Sequence, residues 1–172
     1  PFRYYLMREV TFGLDGDYSQ KGMIQRINAD LANDLGNLLN RTIGMQKKYF
    51  DSAVVLEKEE TALEEEIYAL WKTTVEDIDT YFEKVQFSEV LKAVWKFISR
   101  MNKYIDETAP WILAKDPEKK SRLSTVMYNL VESLYKIAVL ISPFMPETAQ
   151  KMWSQLGIND SIENIRLDDI KH

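Results

Sequence analysis

Apolar residues recur every three or four positions along most of this chain, and this period restricts its fold more than any other feature. The longest series comprises Leu123, Val126, Met127, Leu130, Leu134, Ile137, Ala138 and Ile141. Such spacing puts all its members on one face of an α-helix, which other helices must then cover. Only 6 glycines and 5 prolines interrupt the 172 residues, so we expect long helices and few turns.

The first third of the chain predicts two helices. Phe2–Val10 has a Tyr and Leu face but no preceding cap, as at the end of a helix, and residues 11–17 form a loop. A second helix, capped by Asp17 or Ser19, should run to about Phe50. Three glycines interrupt it, and each costs about 1 kcal/mol relative to alanine. A closely packed neighbour or ligand would explain these glycines, but so would simple tolerance: Gly22, Gly36 and Gly44.

Capping signals divide the rest of the chain. The capping box Thr61-x-x-Glu64 begins a third helix, and Ser88 is the expected cap of a fourth. Asp116-Pro117 begins a fifth, and a short final helix ends at Gly157. The sequence therefore predicts an all-α fold, an antiparallel bundle of about five long helices plus a short C-terminal helix. The polar segment 158–172 lacks a clear period and is interpreted as a truncated connector.

Composition excludes several classes of function. Without cysteine, disulfides and thiolate metal sites are impossible, and His172 is the only histidine. No apolar run is long enough to span a membrane and the start is not a signal peptide, so the expected location is the cytoplasm. The net charge of −5 argues mildly against nucleic acid and would suit a helical protein-interaction module. Among the acidic residues, the consecutive Glu64–Glu66 point different ways around a helix, which favours a solvated face over an acid–base pair.

The segment 102–111 closes the fourth helix and then stops at Ala109-Pro110. A proline favours extended geometry in the residue before it, so this helix should end near Thr108 or Ala109. Trp111 follows the break, where it is either a core plug or a platform on which an unpaired base stacks. Trp71, Trp95 and Trp153 lie within periodic apolar series and are predicted to be core residues.

Polar residues on two helices offer partners for such a base. On the second helix Asn33, Asn37 and Arg41 share one face, and their donors and acceptors could read a base edge. A solvated polar face explains the same spacing, and on spacing alone is the commoner arrangement. On the fourth helix Asn102 and Asp106 are neighbours one turn apart. A basic stripe there could contact phosphate or could simply be solvated: Lys92, Lys96, Arg100 and Lys103.

Four segments resemble the anticodon-binding domain of methionyl-tRNA synthetases, which are class I aminoacyl-tRNA synthetases. They are Arg26–Arg41, Asn102–Trp111 with its Asp-Glu-x-Ala-Pro-Trp ending, Arg3–Val10 followed by Asp15-Gly16-Asp17, and Ser142–Ala149. The resemblance extends from Phe2 to about Gly157. Related class I synthetases share parts of the pattern, but the combination of Asn37 and Arg41 with Ala109-Pro110-Trp111 is more specific for methionine.

The resemblance implies an anticodon-binding role for six residues. Asn37 and Arg41 match the positions that contact the cytosine at the first anticodon base. Trp111 matches the stacking tryptophan, and Pro110 the residue that orients it. Two residues match polar positions of the fourth helix that tune this recognition: Asn102 and Asp106.

The resemblance also implies a parent enzyme larger than this chain. Residues 1–17 would be a remnant of the connector after the catalytic domain, 18–157 the anticodon-binding bundle, and 158–172 the truncated connector. The ATP-binding HIGH-like and KMSKS-like motifs are absent, so ATP with Mg²⁺ and the methionine–tRNA ligase activity would belong to the missing catalytic domain. The fragment itself needs no cofactor or metal, and its expected partners are methionine tRNA with the CAU anticodon and that catalytic domain. The alternatives are the equivalent domain of a valine, isoleucine, leucine or cysteine enzyme, and the interaction module.

Overall fold

The chain folds into a bundle of α-helices, and the computed structural model describes residues 2–10, 13–16 and 18–171. No strand occurs among those residues, in agreement with the predicted all-α class. The helices are α1 (Phe2–Glu9), α2 (Gln20–Arg26), a π-helical segment (Ile27–Gly36), α3 (Asn37–Phe50), α4 (Ala62–Glu83), α5 (Phe87–Thr108), α6 (Pro110–Leu113), α7 (Lys120–Ile141) and α8 (Pro146–Gln155). Short 3₁₀ turns are formed by Pro117–Lys119, Ile162–Asn164 and Leu167–Ile170.

Helix α5 is the centre of the bundle. It packs against α1, the π-helical segment, α3, α4 and α7. Its apolar residues Val94, Ile98, Met101 and Ile105 recur at helical spacing and are fully buried, so they form the core face of the helix. Burial of that face on several sides at once makes α5 the fixed support on which the other elements are placed.

The predicted helix starts are mostly correct. Thr61 and Glu64 form the capping box, with the Thr61 backbone N–H 2.6 Å from the Glu64 carboxylate. The Ser19 hydroxyl caps α2 by accepting from the Gly22 N–H at 3.1 Å, while the alternative cap Asp17 lies outside the described residues, as do Thr11 and Phe12 of the predicted loop. The Asp116 carboxylate accepts from the Glu118 N–H at 3.1 Å, although a 3₁₀ turn separates this cap from α7.

The predicted cap of α5 is wrong. Ser88 is buried within the first turn, and the residue at the cap position is Gln86, which makes no side-chain capping bond. The cause is the sharp end of α4, where the Gln86 N–H donates to the Tyr81 carbonyl at 2.8 Å and Val85 is left-handed (φ 58). This hydrogen bond and the left-handed residue end α4 in a tight turn that reverses the chain direction, so α5 begins before the serine.

The C-terminal segment has more structure than its polar sequence indicated. Gly157 ends the α8 region in the left-handed conformation (φ 82), as expected. Beyond it, Ile162 and Ile170 are each 2% exposed and belong to the core. Lys171 bonds Asp79 of α4 at 2.7 Å. No helix in the described parts of the chain combines the length and apolarity needed to cross a membrane.

Candidate nucleic-acid interface

Three helices bring Arg41, Asp106 and Trp111 together on the surface. The Arg41 guanidinium on α3 donates from Nη2 to Asp106 Oδ1 on α5 at 2.7 Å. Its Cζ atom lies 5.8 Å from the centre of the Trp111 ring on α6. The arginine and aspartate side chains keep 36% and 65% of their surface exposed. The site therefore joins a planar cation, a carboxylate and an aromatic face, all open to a ligand.

Trp111 lies on the surface, unlike the other three tryptophans. It is 41% exposed, whereas Trp71, Trp95 and Trp153 are 5%, 4% and 1% exposed, as predicted for core residues. In the part of the chain that the structure describes, Trp111 thus has a large aromatic surface that the core does not use. Of the two predicted alternatives, this exposure favours the stacking platform over the core plug.

The turn that presents Trp111 differs from the prediction. Helix α5 ends at Thr108 as expected, but Ala109 is left-handed (φ 43, ψ 64) rather than extended. The Ala109 N–H still donates to the Ile105 carbonyl at 3.0 Å, and the Ala109 carbonyl accepts from the Ile112 N–H at 2.8 Å. Ala109 therefore ends α5 and begins α6 at the same time. Making both hydrogen bonds excludes the extended backbone conformation at this residue. The buried Pro110 fixes the first position of α6, and Trp111 follows on its outer side.

Asn102 supports the site indirectly, through hydrogen bonds to backbone carbonyls. Its Nδ2 atom donates to the Asp34 carbonyl at 3.0 Å and to the Ile98 carbonyl at 3.4 Å. Seven residues earlier on α5, Trp95 Nε1 donates to the Asp30 carbonyl at 3.3 Å. Two α5 side chains therefore hold the backbone of the π-helical segment, so in the chain as it stands Asn102 positions the segment that leads into α3.

The π-helical segment sets the rotation of α3. A π-helix is wider than an α-helix. Such segments are rare in proteins, but those that exist often lie at functional sites. Gly36 closes it, and a Cβ atom there would lie 3.0 Å from the Leu31 carbonyl oxygen. This close approach to its own helix explains Gly36, whose reason the sequence left open. Asn37 follows as the first residue of α3, exposed and without a side-chain hydrogen bond to any described residue. It lies one turn before Arg41, on the same face.

Three of the four basic side chains in the α5 stripe have acidic partners, and Lys96 has none among the described residues. Arg100 is bound by Glu66 at 3.0 and 3.1 Å and by Glu107 at 3.0 Å. Lys103 also bonds Glu107, at 3.2 Å, and a further pair joins Lys92 to Glu89 at 2.6 Å. These contacts favour the ion-paired surface over the phosphate-binding alternative.

Glu64 is buried, and the predicted solvated face at Glu64–Glu66 is wrong for this residue. It is 0% exposed, accepts from Arg122 Nη2 at 2.8 Å, and also accepts from the Tyr104 hydroxyl. Burial alone would raise its pKa, but hydrogen bonds from Arg122, Tyr104 and Thr61 outweigh burial and lower the pKa below the ordinary value. This network ties α4 and α7 to the part of α5 that carries Asp106. The capping box was the available signal, since its glutamate must turn back toward the backbone.

Metal binding has no evident place in this arrangement. In residues 2–10, 13–16 and 18–171, no three acidic or histidine side chains are grouped closely enough to hold a metal ion. Arg41 itself offers hydrogen-bond donors, and Trp111 offers an aromatic face.

Comparison with known proteins identifies the family. A sequence profile described as the anticodon-binding domain of tRNA ligase matches residues 64–170. The chain belongs to this family. A second profile, for class I tRNA synthetases of the methionine type, matches residues 1–43.

The anticodon-binding domain is similar to part of several methionine–tRNA ligases. It is 57% identical to that of Fusobacterium nucleatum over 170 residues, 99% of this chain and 27% of the relative. It is 52% identical to that of Bacillus subtilis over 159 residues, 92% of this chain and 24% of the relative. The chain thus spans about a quarter of the length of the curated relatives it matches.

A solved structure shares the same fold. The methionyl-tRNA synthetase of Mycobacterium tuberculosis, in complex with methionyl-adenylate, matches with a TM-score of 0.88 and 35% identity. The match covers 96% of this chain and 34% of that chain. The helix bundle described above is therefore the fold of one part of a larger synthetase.

Proposed function

We propose that this domain binds the CAU anticodon of methionine tRNA as part of a methionine–tRNA ligase. The observation that carries the proposal is the exposed Trp111 ring beside the Arg41 guanidinium, with Asn37 one turn away. Relatives named methionine–tRNA ligase at 45–57% identity support the choice of methionine.

Recognition follows from the chemistry of these three side chains. A splayed base stacks on the Trp111 ring, an interaction worth about 1–3 kcal/mol. The Watson–Crick edge of cytosine has two acceptors beside one amino donor. The Arg41 fork and the Asn37 amide supply donors, while the Asn37 carbonyl oxygen can accept from the amino group. A uracil has a carbonyl in place of the amino donor and an N–H in place of the ring acceptor, so it mismatches the partners that Arg41 and Asn37 offer, which is the basis of discrimination.

The Arg41–Asp106 contact prepares the site before RNA arrives. A guanidinium held at 2.7 Å by a carboxylate has fewer orientations to lose on binding. Asp106 also places a negative charge at the edge of the site. This charge raises the energy of any RNA whose phosphate approaches there without the compensating base contacts.

The activity of the parent requires groups that this chain does not supply. It has no Gly-rich phosphate loop, and the described residues contain no cluster of metal ligands. These residues do not fit ATP with Mg²⁺, so we assign that site, and the joining of methionine to tRNA, to the catalytic domain of the parent. The proposed partners of this domain are therefore methionine tRNA and that catalytic domain, in the cytoplasm.

The test compares variants in the full-length parent. Trp111→Ala and Arg41→Ala are assayed for kcat/KM on methionine tRNA and on tRNAs with the first anticodon base changed. The matched control is Lys92→Met, about 21 Å along α5 from Asp106. We expect both site variants to lose discrimination at the first anticodon base while the control keeps it.

Two results would contradict the proposal. If Trp111→Ala and Arg41→Ala keep the wild-type preference for cytosine, these residues do not read the anticodon. If tRNA binding by the parent is indifferent to every anticodon change and survives deletion of this domain, the bundle acts as a protein-interaction module instead.

A further inference from the structure

No described residue explains the glycine at position 44. It lies in α3 and is exposed, and a Cβ atom added there would have no neighbour within 4 Å. Its backbone is ordinary right-handed helix, which glycine weakens relative to alanine. A Cβ atom at Gly36 would crowd the Leu31 carbonyl, but no described residue lies that close at Gly44.

The position of Gly44 relative to the anticodon site is informative. Asn37, Arg41, Gly44 and Lys48 are separated by four, three and four residues, so they form one line along α3. Asn37, Gly44 and Lys48 are exposed and Arg41 is partly so. Lys48 lies about 10 Å beyond Arg41 along the helix axis. The glycine is thus a gap between two cationic side chains on the face that carries the candidate site.

Lys48 differs from Lys92 and Lys103 of α5, whereas Lys96 of that helix likewise has no acidic partner among the described residues. Lys92 and Lys103 are each bonded to a glutamate, at 2.6 and 3.2 Å. Among the described residues no carboxylate lies within salt-bridge distance of Lys48, whose Nζ atom is 5.4 Å from the centre of the Tyr49 ring. That aromatic contact leaves its N–H groups available. An ammonium group without an acidic partner beside an open helix surface can meet a phosphate at little cost.

We infer that the RNA backbone next to the anticodon base passes close over Gly44 and that Lys48 contacts one of its phosphates. This assignment rests on the proposed function and extends it from the base to the backbone. Single-stranded nucleic acid is commonly bound in this way, with bases on aromatic rings and the backbone along a cationic track. A side chain at position 44 would occupy the track, so the helix gives up stability there to admit the RNA.

The experiment measures binding of a methionine tRNA transcript to the parent enzyme over a range of salt concentrations. Lys48→Met is expected to reduce the slope of log affinity against log salt by about 0.7–0.9, one phosphate contact. The reduction should be the same for tRNAs with an altered anticodon. Lys47→Met is the matched control, because the adjacent side chain points about 100° away around the helix. Equal slopes for the two variants, or an unchanged slope for Lys48→Met, would overturn the assignment.

A second variant tests whether RNA binding requires the absence of a side chain at position 44. Gly44→Gln places a good helix former in open space, so its melting temperature should equal or exceed that of the wild type. We expect its tRNA affinity to fall by about tenfold because the side chain obstructs the backbone. Undiminished affinity would refute the role of Gly44. Failure of the proposed function is distinguishable, since it is read from the loss of anticodon discrimination in Arg41→Ala and Trp111→Ala.

Discussion

The guanidinium carbon of Arg41 lies 5.8 Å from the centre of the Trp111 ring. Neither helix fixes this relationship alone. The π-helical segment sets the rotation of α3, and the left-handed Ala109 sets the direction of α6. Because α5 supports both the π-helical segment and the Ala109 turn, the guanidinium and the ring are already adjacent in the free domain. This lowers the entropic cost of ordering them when RNA binds.

Replacing Asp106 tests whether its contact with Arg41 increases discrimination between anticodons at the expense of affinity for tRNA. Asp106→Asn removes a negative charge and the partner of Arg41 while keeping the size of the side chain. We expect affinity for tRNAs with any anticodon to rise, by up to about fivefold, since exposed pairs are worth at most about 1 kcal/mol. Discrimination between anticodons should fall because Arg41 is less well held. The measurement is the dissociation constant of the parent for cognate and altered tRNAs; a uniform rise with unchanged discrimination would contradict the orienting role.

The two kinds of tryptophan should respond differently to truncation. Trp153 is 1% exposed and stacks on Tyr135 at 4.7 Å between ring centres, so Trp153→Ala should cost about 3–5 kcal/mol of unfolding free energy. Trp111→Ala removes a ring that is 41% exposed and should cost less than about 1.5 kcal/mol. Urea denaturation of the 172-residue chain gives both values. Similar losses for the two variants would show that Trp111 is a structural residue.

Asn102 should act through the backbone it holds. Asn102→Ala removes the bond to the Asp34 carbonyl and leaves that acceptor to water, at a cost of about 0.5–1.5 kcal/mol. We expect faster hydrogen exchange at the amides of residues 34–38 and weaker discrimination at the first anticodon base. Lys103→Ala, at the next position of α5 and exposed, is the control. Unchanged exchange at residues 34–38 would mean that Asn102 does not support the π-helical segment.

Periodicity was enough to predict the bundle. The apolar series of α5 and α7 are the core, α5 ends at Thr108 just before Pro110, and α8 ends at Gln155 just before Gly157. These features are local, since spacing decides which face is buried and cap residues decide where a helix stops.

The missed features depend on contacts between distant parts of the chain. The π-helical segment is held by Trp95 and Asn102 from another helix, and local sequence carries only the ambiguous Gly36. Glu64 is buried because Arg122 and Tyr104 meet it, 58 and 40 residues away. Only the resemblance to a known family linked Arg41 with Trp111 in the sequence. Residue spacing could not do so, because no spacing rule connects α3 with α6.

A strained position far from the site offers a control on stability. Val85 is left-handed (φ 58) at the residue after the C-cap Lys84 of α4, where glycine is normally preferred. Val85→Gly removes the Cβ strain, about 1–2 kcal/mol, against an unfolded-chain entropy of up to about 1 kcal/mol. Val85 is 36% exposed, so the truncation gives up only part of the burial of a core valine. We expect a small rise in melting temperature with anticodon discrimination unchanged; a fall would show that the valine packs more than its exposure suggests.

Acid should destabilise the domain through Glu64. Its pKa is lower in the folded chain than the ordinary value of 4.5, so the folded state binds fewer protons than the unfolded state below that pH. The stabilisation is therefore complete above about pH 4.5 and is lost as the pH falls through the folded pKa. At neutral pH, Glu64→Gln leaves Arg122 buried without its counter-charge and should cost about 3–5 kcal/mol.

The pH dependence separates this effect from general acid unfolding. The difference in unfolding free energy between wild type and Glu64→Gln should be largest above pH 4.5 and should narrow as the pH falls, because the protonated wild-type carboxyl resembles the amide. The neighbouring, exposed Glu65→Gln is the control and should follow the wild-type curve. Denaturant titrations at successive pH values give the three curves. A difference that stays constant down to acid pH would mean that Glu64 contributes by packing and not by its charge.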